Sequence, residues 1–404
     1  MTIKNLPEKI RAYALKNAIA HEEKAQAGSV ISSLFHEGLK QSEIKNYIKE
    51  INKIVSEINS LSSDEQKKEF EKLEKFISVR EGREGLPELP NAKKGKVIMR
   101  FAPSPSGALH IGHALTASIS YLFVKNYGGK FYVRIEDTNP ENIYPPAYKL
   151  LQDDSKWLFE NDAEILIQSE RMKLYYKYAE KLLKKNSAYI CTCNSEKFKE
   201  LVDNKKKCVC RDLKVKENLE RWRKMLSKTG YKPGEAVLRF RSDINHKNPA
   251  MRDFPLARVN LTEHPIQKNK YRVWPLMNLA VAVDDIELGM THIIRAKEHR
   301  DNAERQKMIY NALGKKGKYP WTAYLGRIHL KDMELSASKI TQGIKEKKYS
   351  GWDDPKLPTL ASLRKRGYKP SAFWKFAERI GLSENDKTMD RNEFFKLLDF
   401  FNRE

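Results

Sequence analysis

Apolar side chains in the first 90 residues recur at helical spacing. Between residues 44 and 61 they fall every third or fourth position, which predicts a helix with one buried face. The members of this stripe are Ile44, Tyr47, Ile48, Ile51, Ile54, Val55, Ile58 and Leu61. Residues 63–66 have the form of a capping box and predict that another helix begins there. Residues 85–90 break the helical period and predict a linker.

The pattern changes after residue 96. The apolar run 97–101 predicts a strand, the Pro/Gly/Ser-rich run 102–107 a loop, residues 110–127 a helix, and residues 131–135 a second strand. A strand, helix and strand in this order predict a βαβ unit in a parallel sheet. A nucleotide is then expected at the carboxyl ends of the strands.

Further strand-like runs follow at residues 236–241, 271–274 and 291–295. They lie beyond the cysteine-containing region that begins near residue 190, so an insertion is expected to interrupt the parallel sheet. After Pro355 the pattern is helical again.

Composition narrows the class of protein. Hydrophobic residues make up 40% and charged residues 32%, so packed cores can form and wholesale disorder is excluded. No apolar run approaches the roughly 20 residues of a membrane-spanning helix, and the N-terminus lacks the apolar core of a signal peptide. A soluble, cytoplasmic protein without a membrane partner is therefore expected.

The formal charge of +23 is unevenly distributed. Residues 1–90 hold 15 basic and 15 acidic residues, whereas residues 91–404 hold 61 basic and 38 acidic residues. This favours a polyanion-binding face in the second region. A lysine-rich solvated surface is the alternative.

Candidate chemistry concentrates where the helix at 110–127 begins. His110 and His113 lie three positions apart, on one face of its first turn, with Gly112 between them. The N–H groups and dipole of a helix N-terminus attract phosphate, and two imidazoles there would stabilise charge on a phosphoryl group. Glycine would let a nucleotide approach the backbone. A surface histidine pair or a pair of metal ligands is the alternative.

The run from Arg100 to Ala114, RFAPSPSGALHIGHA, resembles the HIGH signature of class I aminoacyl-tRNA synthetases, in the Ser-Pro-Ser-Gly form of the glutamyl branch. The run from Arg134 to Pro140 resembles the next block of that family, and residues 13–31 resemble the N-terminal extension of its archaeal glutamyl members. The resemblance covers essentially the whole chain.

The resemblance implies an α/β fold. A Rossmann-like parallel-sheet catalytic domain would carry an inserted α+β acceptor-binding domain and be flanked by helical domains. The expected boundaries are 1–90 for the N-terminal helical extension, 91–188 and 269–325 for the two halves of the catalytic domain, 189–268 for the insertion, and 326–404 for the signature loop and stem-contact region.

The resemblance also implies roles for individual residues. Catalytic roles fall to His110, His113, Ser336 and Lys339. Glutamate contacts fall to Arg100, Ala102, Ser104, Glu136, Asn278 and Arg295. ATP contacts fall to Pro103, Gly107, His110, Gly112, His113, Leu335, Ser338 and Lys339. Arginine suits planar carboxylates and Glu136 suits the substrate ammonium, so the chemistry of these side chains is compatible with glutamate.

Two positions depart from the family pattern. Met277 stands where bacterial glutamyl enzymes have tyrosine, so Asn278 is the candidate substitute for the missing hydroxyl. Ala337 replaces the usual lysine of the Lys-Met-Ser-Lys-Ser loop, which here reads Glu334 to Ser338. Lys339, two residues further on, is expected to reach the phosphates instead.

All four cysteines lie within 20 residues of one another, as two Cys-x-Cys pairs. They are Cys191, Cys193, Cys208 and Cys210. Four thiolates can form a closed tetrahedral zinc site, which would be structural because no coordination position stays open. The arrangement resembles the zinc hairpin of some glutamyl enzymes. Disulfides and metal-free thiols are the alternatives.

The resemblance implies a monomeric ligase that uses ATP, Mg²⁺ and L-glutamate to charge tRNA(Glu), contacting its acceptor end and stem. Whether tRNA(Gln) is also charged is left open. No alternating pattern for anticodon-binding β-barrels follows residue 355, so we expect poor reading of the anticodon. A shortened paralogue that glutamylates a modified tRNA base and a non-catalytic tRNA-binding relative are the alternatives.

Overall fold

A computed structural model describes residues 4–20, 24–78, 85–333 and 335–404 of the chain. Two compact units divide the chain, one up to residue 82 and one from residue 83 onward. Of the helices within the described ranges, none has the length and apolarity needed to cross a membrane.

The first unit is helical, as the apolar spacing predicts. Its helices are α1 (Leu6–Ala20), α2 (Ala27–His36), α3 (Ile44–Asn59) and α4 (Ser63–Leu73). Ile51, Val55 and Ile58 of the predicted stripe are buried and pack in one core with α1 and α2. The stripe therefore forms the internal face of α3.

The capping box of α4 lies one residue earlier than predicted. Ser62 is the N-cap residue, and the carboxylate of Glu65 accepts a hydrogen bond from the Ser62 N–H at 2.9 Å. Gln66, the predicted partner, is buried, and its Nε2 donates to the carbonyl of Ile58 at 3.0 Å. A side chain used inside the core cannot reach back to the cap, so the prediction of residues 63–66 was wrong by one position.

The second unit is built around parallel strands. The strands are β1 (Val97–Phe101), β2 (Gly129–Ile135), β3 (Ala163–Ile167), β8 (His292–Ala296) and β9 (Trp321–Leu325), and the helices among them are α5 (Ile111–Tyr127), α6 (Ala147–Leu158), α7 (Met172–Lys184), α10 (Met277–Glu287) and α11 (Arg300–Ala312). β1 pairs in parallel with β2, β2 with β3, and β8 with β9. Thr291 joins the two groups, because its N–H donates to the carbonyl of Ile98 at 3.0 Å. The predicted βαβ unit is confirmed.

An antiparallel sheet interrupts the parallel strands, as expected for an insertion. Its strands are β4 (Ala188–Cys191), β5 (Val237–Phe240), β6 (Pro255–Val259) and β7 (Val273–Pro275), in that spatial order, and the helices between β4 and β5 are α8 (Ser195–Asp203) and α9 (Val215–Leu226). The sheet packs through Leu238, Leu256 and Val273 onto a core shared with α7 and α10.

The last segment is mostly helical, with one short strand pair. Its elements are β10 (Ile328–Leu330), α12 (Ala337–Lys345), α13 (Leu360–Lys365), α14 (Pro370–Ile380), β11 (Lys387–Met389) and α15 (Arg391–Arg403). β11 pairs in parallel with β10. A strand of three residues is too short to give a periodic signal. The prediction of a purely helical segment after residue 355 therefore missed β11.

Asp154 is a buried carboxylate beneath the loop that leads into α5. It is 1% exposed, and its Oδ2 accepts a hydrogen bond from the N–H of Leu109 at 3.1 Å. Burial raises the pKa of Asp154 to about 7, against the lowering effect of that bond. The folded state therefore binds a proton more tightly than the unfolded state, and stability falls as the pH rises from about 4 to about 7.

We predict that Asp154→Asn is stabilising relative to the parent at pH 8 and that this advantage is smaller at pH 5. The amide oxygen still accepts from Leu109 N–H but has no charge to desolvate. Urea unfolding midpoints at the two pH values measure the difference, and Asp153→Asn, on the neighbouring residue of the same helix, is the control. An equal shift at both pH values would contradict the assignment.

Candidate active site

A cavity of about 660 Å³ opens at the carboxyl ends of β1, β2, β8 and β9. This is the edge at which parallel sheets bind ligands, as the sequence predicted. Seven of the predicted site residues line it: Arg100, Ala102, His110, Gly112, His113, Glu136 and Arg295. The fold thus brings the HIGH-like segment, the end of β2 and the end of β8 to one place.

His110 and His113 stack on each other, with ring centroids 3.7 Å apart and planes inclined by 22°. Nδ1 of His110 accepts from the N–H of Gly112 at 3.1 Å, and Nδ1 of His113 accepts from the N–H of His110 at 3.4 Å. A neutral imidazole whose Nδ1 accepts carries its proton on Nε2. Each ring therefore offers an Nε2–H donor.

Both rings are neutral at physiological pH. Burial, with a smaller contribution from the neighbouring ring of His113, lowers the pKa of His110 to about 2. Burial also lowers the pKa of His113 to about 4. An anion bound beside this pair would meet hydrogen bonds from two neutral donors, not two cations.

The start of α5 is less open to phosphate than the sequence suggested. The N–H of Ile111 donates to the carbonyl of Pro358 at 3.0 Å, and the N–H of Gly112 is held by His110. A segment from much later in the chain thus covers one of the first helix donors. The imidazole N–H groups are the donors that remain for an anion at this end of the helix.

Gly112 has a structural reason to be glycine, beside the close approach of a nucleotide, which stays a prediction. A Cβ there would lie 3.1 Å from Cε1 and 3.2 Å from Nδ1 of His110. Such distances are tighter than ordinary contacts, so the missing side chain is what lets the His110 ring fold back over the helix start.

A buried ion network holds the floor of the cavity. The Asp285 carboxylate accepts from Nε of Arg100 at 3.0 Å and from Nη1 of Arg134 at 2.6 Å. Arg134 also donates to Glu136 at 2.9 Å. Burial alone would raise the pKa of Asp285, but the two guanidinium groups hold it at about 2. Two cations and two anions therefore balance within this network.

Asp284, the preceding residue, also borders this network, with Oδ2 3.8 Å from Nε of Arg134. It is fully buried and accepts from Nε2 of Gln168 at 2.8 Å and from Nε of Arg171 at 2.8 Å. The Asp-Asp pair thus ties α10 to β1 and β2 on one hand and to residues 168–171 on the other.

Arg295 is the cation of the cavity wall that the network leaves uncompensated. Among the described residues, no carboxylate lies within 4.0 Å of its guanidinium, and its Nη2 donates instead to Oε1 of Gln306 at 3.1 Å. Burial and the nearby charge of Arg100 lower the pKa of Arg295. The cavity wall therefore presents an uncompensated cation beside a balanced network, which would complement an anionic ligand.

The remaining predicted residues do not line the cavity. Ser104 is exposed, Pro103 and Gly107 are buried, and Asn278 is 7% exposed behind the wall. Leu335, Ser336, Ser338 and Lys339 also lie outside the cavity lining. Glu334, the first residue of the predicted signature loop, lies outside the described residues.

Ala337 packs in an apolar cluster with Ala108, Ile340 and Trp352. A Cβ added to Gly107 would lie 2.4 Å from the Trp352 ring and 3.1 Å from Cβ of Ala337. The position at which the family pattern has lysine thus contacts the loop before α5 by packing. Its side chain holds α12 against that loop.

Comparison with known proteins identifies the family. Residues 96–403 match the family described as tRNA synthetases class I (E and Q), catalytic domain. The chain belongs to this family. The resemblance read from the sequence is confirmed, and so is the class of fold.

Archaeal glutamate–tRNA ligases are among the curated relatives of this chain. This chain is 47% identical over 386 residues to the glutamate–tRNA ligase of Pyrococcus abyssi, covering 93% of this chain and 67% of that protein. It is 45% identical to the glutamate–tRNA ligase of Methanocaldococcus jannaschii, covering 94% and 68%. The synthetase thus spans about two thirds of the length of these relatives.

A solved structure shares the fold. The crystal structure of a glutamate tRNA ligase from Elizabethkingia meningosepticum, in complex with its amino acid, superposes with a TM-score of 0.54 at 24% identity, over 76% of this chain and 69% of that one.

Sequence reasoning missed several residues on or behind the cavity wall of the synthetase. Arg327 and His329 are exposed and line it, and Gln306 lines it from α11. Arg134 is fully buried beneath it. The two-residue spacings Arg134/Glu136, at the end of β2, and Arg327/His329, at the start of β10, are typical of side chains on one side of an extended segment, a signal that was available. Gln306 gives no such signal, because a single glutamine in a helix is ordinary.

The four cysteines form a separate cluster in the insertion. They are unpaired, and their sulfur atoms all lie within 4.8 Å of one another. Sγ of Cys191 is 3.9 Å from Sγ of Cys208, and Sγ of Cys193 is 3.8 Å from Sγ of Cys210. Tetrahedral zinc with Zn–S bonds of about 2.3 Å holds its sulfurs about 3.8 Å apart, whereas a disulfide needs about 2.05 Å. The donor set fits zinc.

We predict that Asp285→Asn lowers the free energy of unfolding of the synthetase by about 3–5 kcal/mol, because it leaves two buried guanidinium groups without their shared anion. Asp285 has a lowered pKa, so its contribution is complete above the unfolded pKa of about 4 and is lost as the pH falls toward 2. Denaturant unfolding at pH 7 measures the loss, with the exposed Asp243→Asn as control. A change below about 1 kcal/mol would contradict this role.

Proposed function

We propose that this chain is an ATP-dependent glutamate–tRNA ligase. The observation that carries the proposal is one cavity in which two stacked neutral imidazoles face an uncompensated arginine and a carboxylate. The names of the archaeal relatives, and identities above 40% over more than nine tenths of the chain, support the same activity.

In the first step, an oxygen of the glutamate α-carboxylate attacks the α-phosphorus of ATP. The bond to the leaving pyrophosphate breaks, and glutamyl-adenylate forms. No protein nucleophile takes part, so the protein contributes positioning and charge stabilisation. The Nε2–H groups of His110 and His113 donate to phosphate oxygens. Arg295 holds the side-chain carboxylate of glutamate, and Glu136 holds its ammonium.

In the second step, a ribose hydroxyl of the terminal adenosine of tRNA attacks the activated carbonyl, and AMP leaves. Mg²⁺ bound to the nucleotide would neutralise phosphate charge. The excess of basic residues between 91 and 404 supports binding of the tRNA acceptor end and stem through phosphates. Leu335, Ser336, Ser338 and Lys339 remain predicted ATP contacts, as do Pro103 and Gly107. Ser104 and Asn278 remain predicted glutamate contacts.

The domain boundaries inferred from the sequence are part of the proposal, as is a structural zinc at the four cysteines. Arg221 supports the metal site, because its Nη1 donates to Sγ of Cys210 at 3.4 Å and would offset thiolate charge. A monomeric state and a cytoplasmic location remain predictions from the sequence.

A tRNA-dependent ATP–pyrophosphate exchange assay with glutamate tests the first step. We expect exchange only when tRNA(Glu) is present, as the family resemblance implies. We expect His113→Ala to reduce exchange by about 10²–10³-fold, because an N–H donor to the phosphoryl group is lost. tRNA affinity, measured by filter binding, should stay within about twofold of the parent at the same salt concentration.

Two controls sharpen this experiment. His113→Gln keeps an N–H donor and should recover part of the exchange. A tRNA(Glu) that lacks its terminal adenosine should accept no glutamate, whereas a base-modifying paralogue would still glutamylate it. A folded protein that supports no exchange with any tRNA would refute the ligase proposal.

For the metal, we predict about one zinc per chain in protein purified without chelators, and less in Cys208→Ser. The lost thiolate opens the tetrahedral site, so the insertion should also become more susceptible to proteolysis. Elemental analysis measures the zinc, and Ser195→Ala, outside the cluster, is the control. Well-folded protein without zinc, and unchanged by added chelator, would contradict the proposal.

A further inference from the structure

Gln306 lies on α11 directly behind Arg295 and is 1% exposed. Its Oε1 accepts from Nη2 of Arg295 at 3.1 Å and from the hydroxyl of Tyr319 at 3.4 Å. Its Nε2 donates to Oδ1 of Asn278 at 3.4 Å. Every polar atom of this buried amide therefore has a protein partner, and its orientation is set from both ends.

Arg100 and Arg295, two of the arginines that line the cavity, are held in opposite ways. Asp285 holds Arg100 with a carboxylate, which orients the guanidinium and also cancels its charge. Gln306 orients Arg295 with a neutral oxygen, which leaves the charge intact. A carboxylate at position 306 would hold Arg295 equally well but would neutralise it.

The difference matters for amino-acid selection. Glutamate and glutamine have nearly the same size and differ by one charge, so shape alone separates them poorly. An unneutralised, partly desolvated arginine attracts a carboxylate more strongly than an amide. Its discrimination depends on the absence of any competing anion from the protein.

We propose that Gln306 is a positioning residue that sets the preference for glutamate over glutamine, by holding Arg295 in place without neutralising it. The inference rests on the proposed assignment of Arg295 to the side-chain carboxylate of the substrate. Tyr319 and Asn278 complete the arrangement: each bonds to one end of the amide, and together they keep its oxygen turned toward Arg295.

Gln306→Glu tests the proposal with a side chain of the same size. The probes are two unreactive adenylate analogues, glutamol-AMP and glutaminol-AMP, which differ only in carboxylate against amide. Their inhibition constants are measured in the exchange assay. We expect the preference for the acid analogue to fall by about tenfold or more, mainly through weaker binding of that analogue, while the KM for ATP stays within about twofold.

Asn311→Asp provides the matched control. It adds the same negative charge to an exposed position of the same helix and should leave the preference unchanged. Gln306→Met is the second variant: it keeps the volume but removes the acceptor, so it should weaken binding of the acid analogue less than Gln306→Glu does. Thermal unfolding establishes whether each variant is folded. If Gln306→Glu is unfolded, the analogue preference of Gln306→Met tests the proposal instead.

Arg295→Met distinguishes a failure of the proposed role of Gln306 from a failure of the proposed assignment of Arg295. If it abolishes the preference while folded Gln306→Glu keeps it within twofold, the proposed role of Gln306 is overturned and the proposed site stands. If Arg295→Met keeps the preference, the assignment of Arg295 fails and this inference fails with it. If only Gln306→Met is folded, an unchanged preference in that variant overturns the role.

Discussion

The carboxylate of Asp285 is the interaction on which the rest of the catalytic unit depends. It lies between Arg100 of β1 and Arg134 of β2, and it is carried by α10, so it joins three segments far apart in sequence. Placing three charges in the interior is costly, and the mutual attraction only offsets that cost when the geometry is good. Glu136, held through Arg134, faces the cavity as part of the same network.

A consequence of this network is a cavity with little net charge of its own. His110 and His113 are neutral, and the four charges of the network cancel. Arg327, which also lines the cavity, pairs with Glu298. Among the described arginines of the lining, Arg295 is therefore the one without a carboxylate partner, and an amide holds it in place. A site built this way gains selectivity from where charge is left uncompensated, and its affinity does not depend on a general excess of basic groups.

The sequence predicted those parts of the site that rest on local pattern. The βαβ unit, the helix start at His110 and the cysteine cluster all follow from spacing and residue type. The predictions were wrong where contacts between distant segments determine the partner of a group. Gln66 is buried against neighbouring elements and therefore does not take part in the N-terminal cap of α4. The carbonyl of Pro358 takes a helix N–H that the sequence left for phosphate.

Gln306 is a residue that the sequence pattern gave no reason to single out. Its importance comes from three partners, on β8, on α10 and in the loop before β9, and no window of sequence contains them together. Arg134 was within reach, since alternation along β2 places it on the same face as Glu136. The residues of the predicted signature loop were assigned by resemblance to a lysine-bearing pattern. Ala337 packs where that lysine would stand.

The bond between Ile111 N–H and the carbonyl of Pro358 also bears on how the protein is made. The two residues are about 250 positions apart, and the N–H of Leu360 returns a bond to the carbonyl of Leu109. During synthesis, the start of α5 emerges from the ribosome long before the segment that completes it. Contacts of such high sequence separation form late and slowly. The nascent chain therefore cannot complete the start of α5 until the segment around residue 360 has been translated.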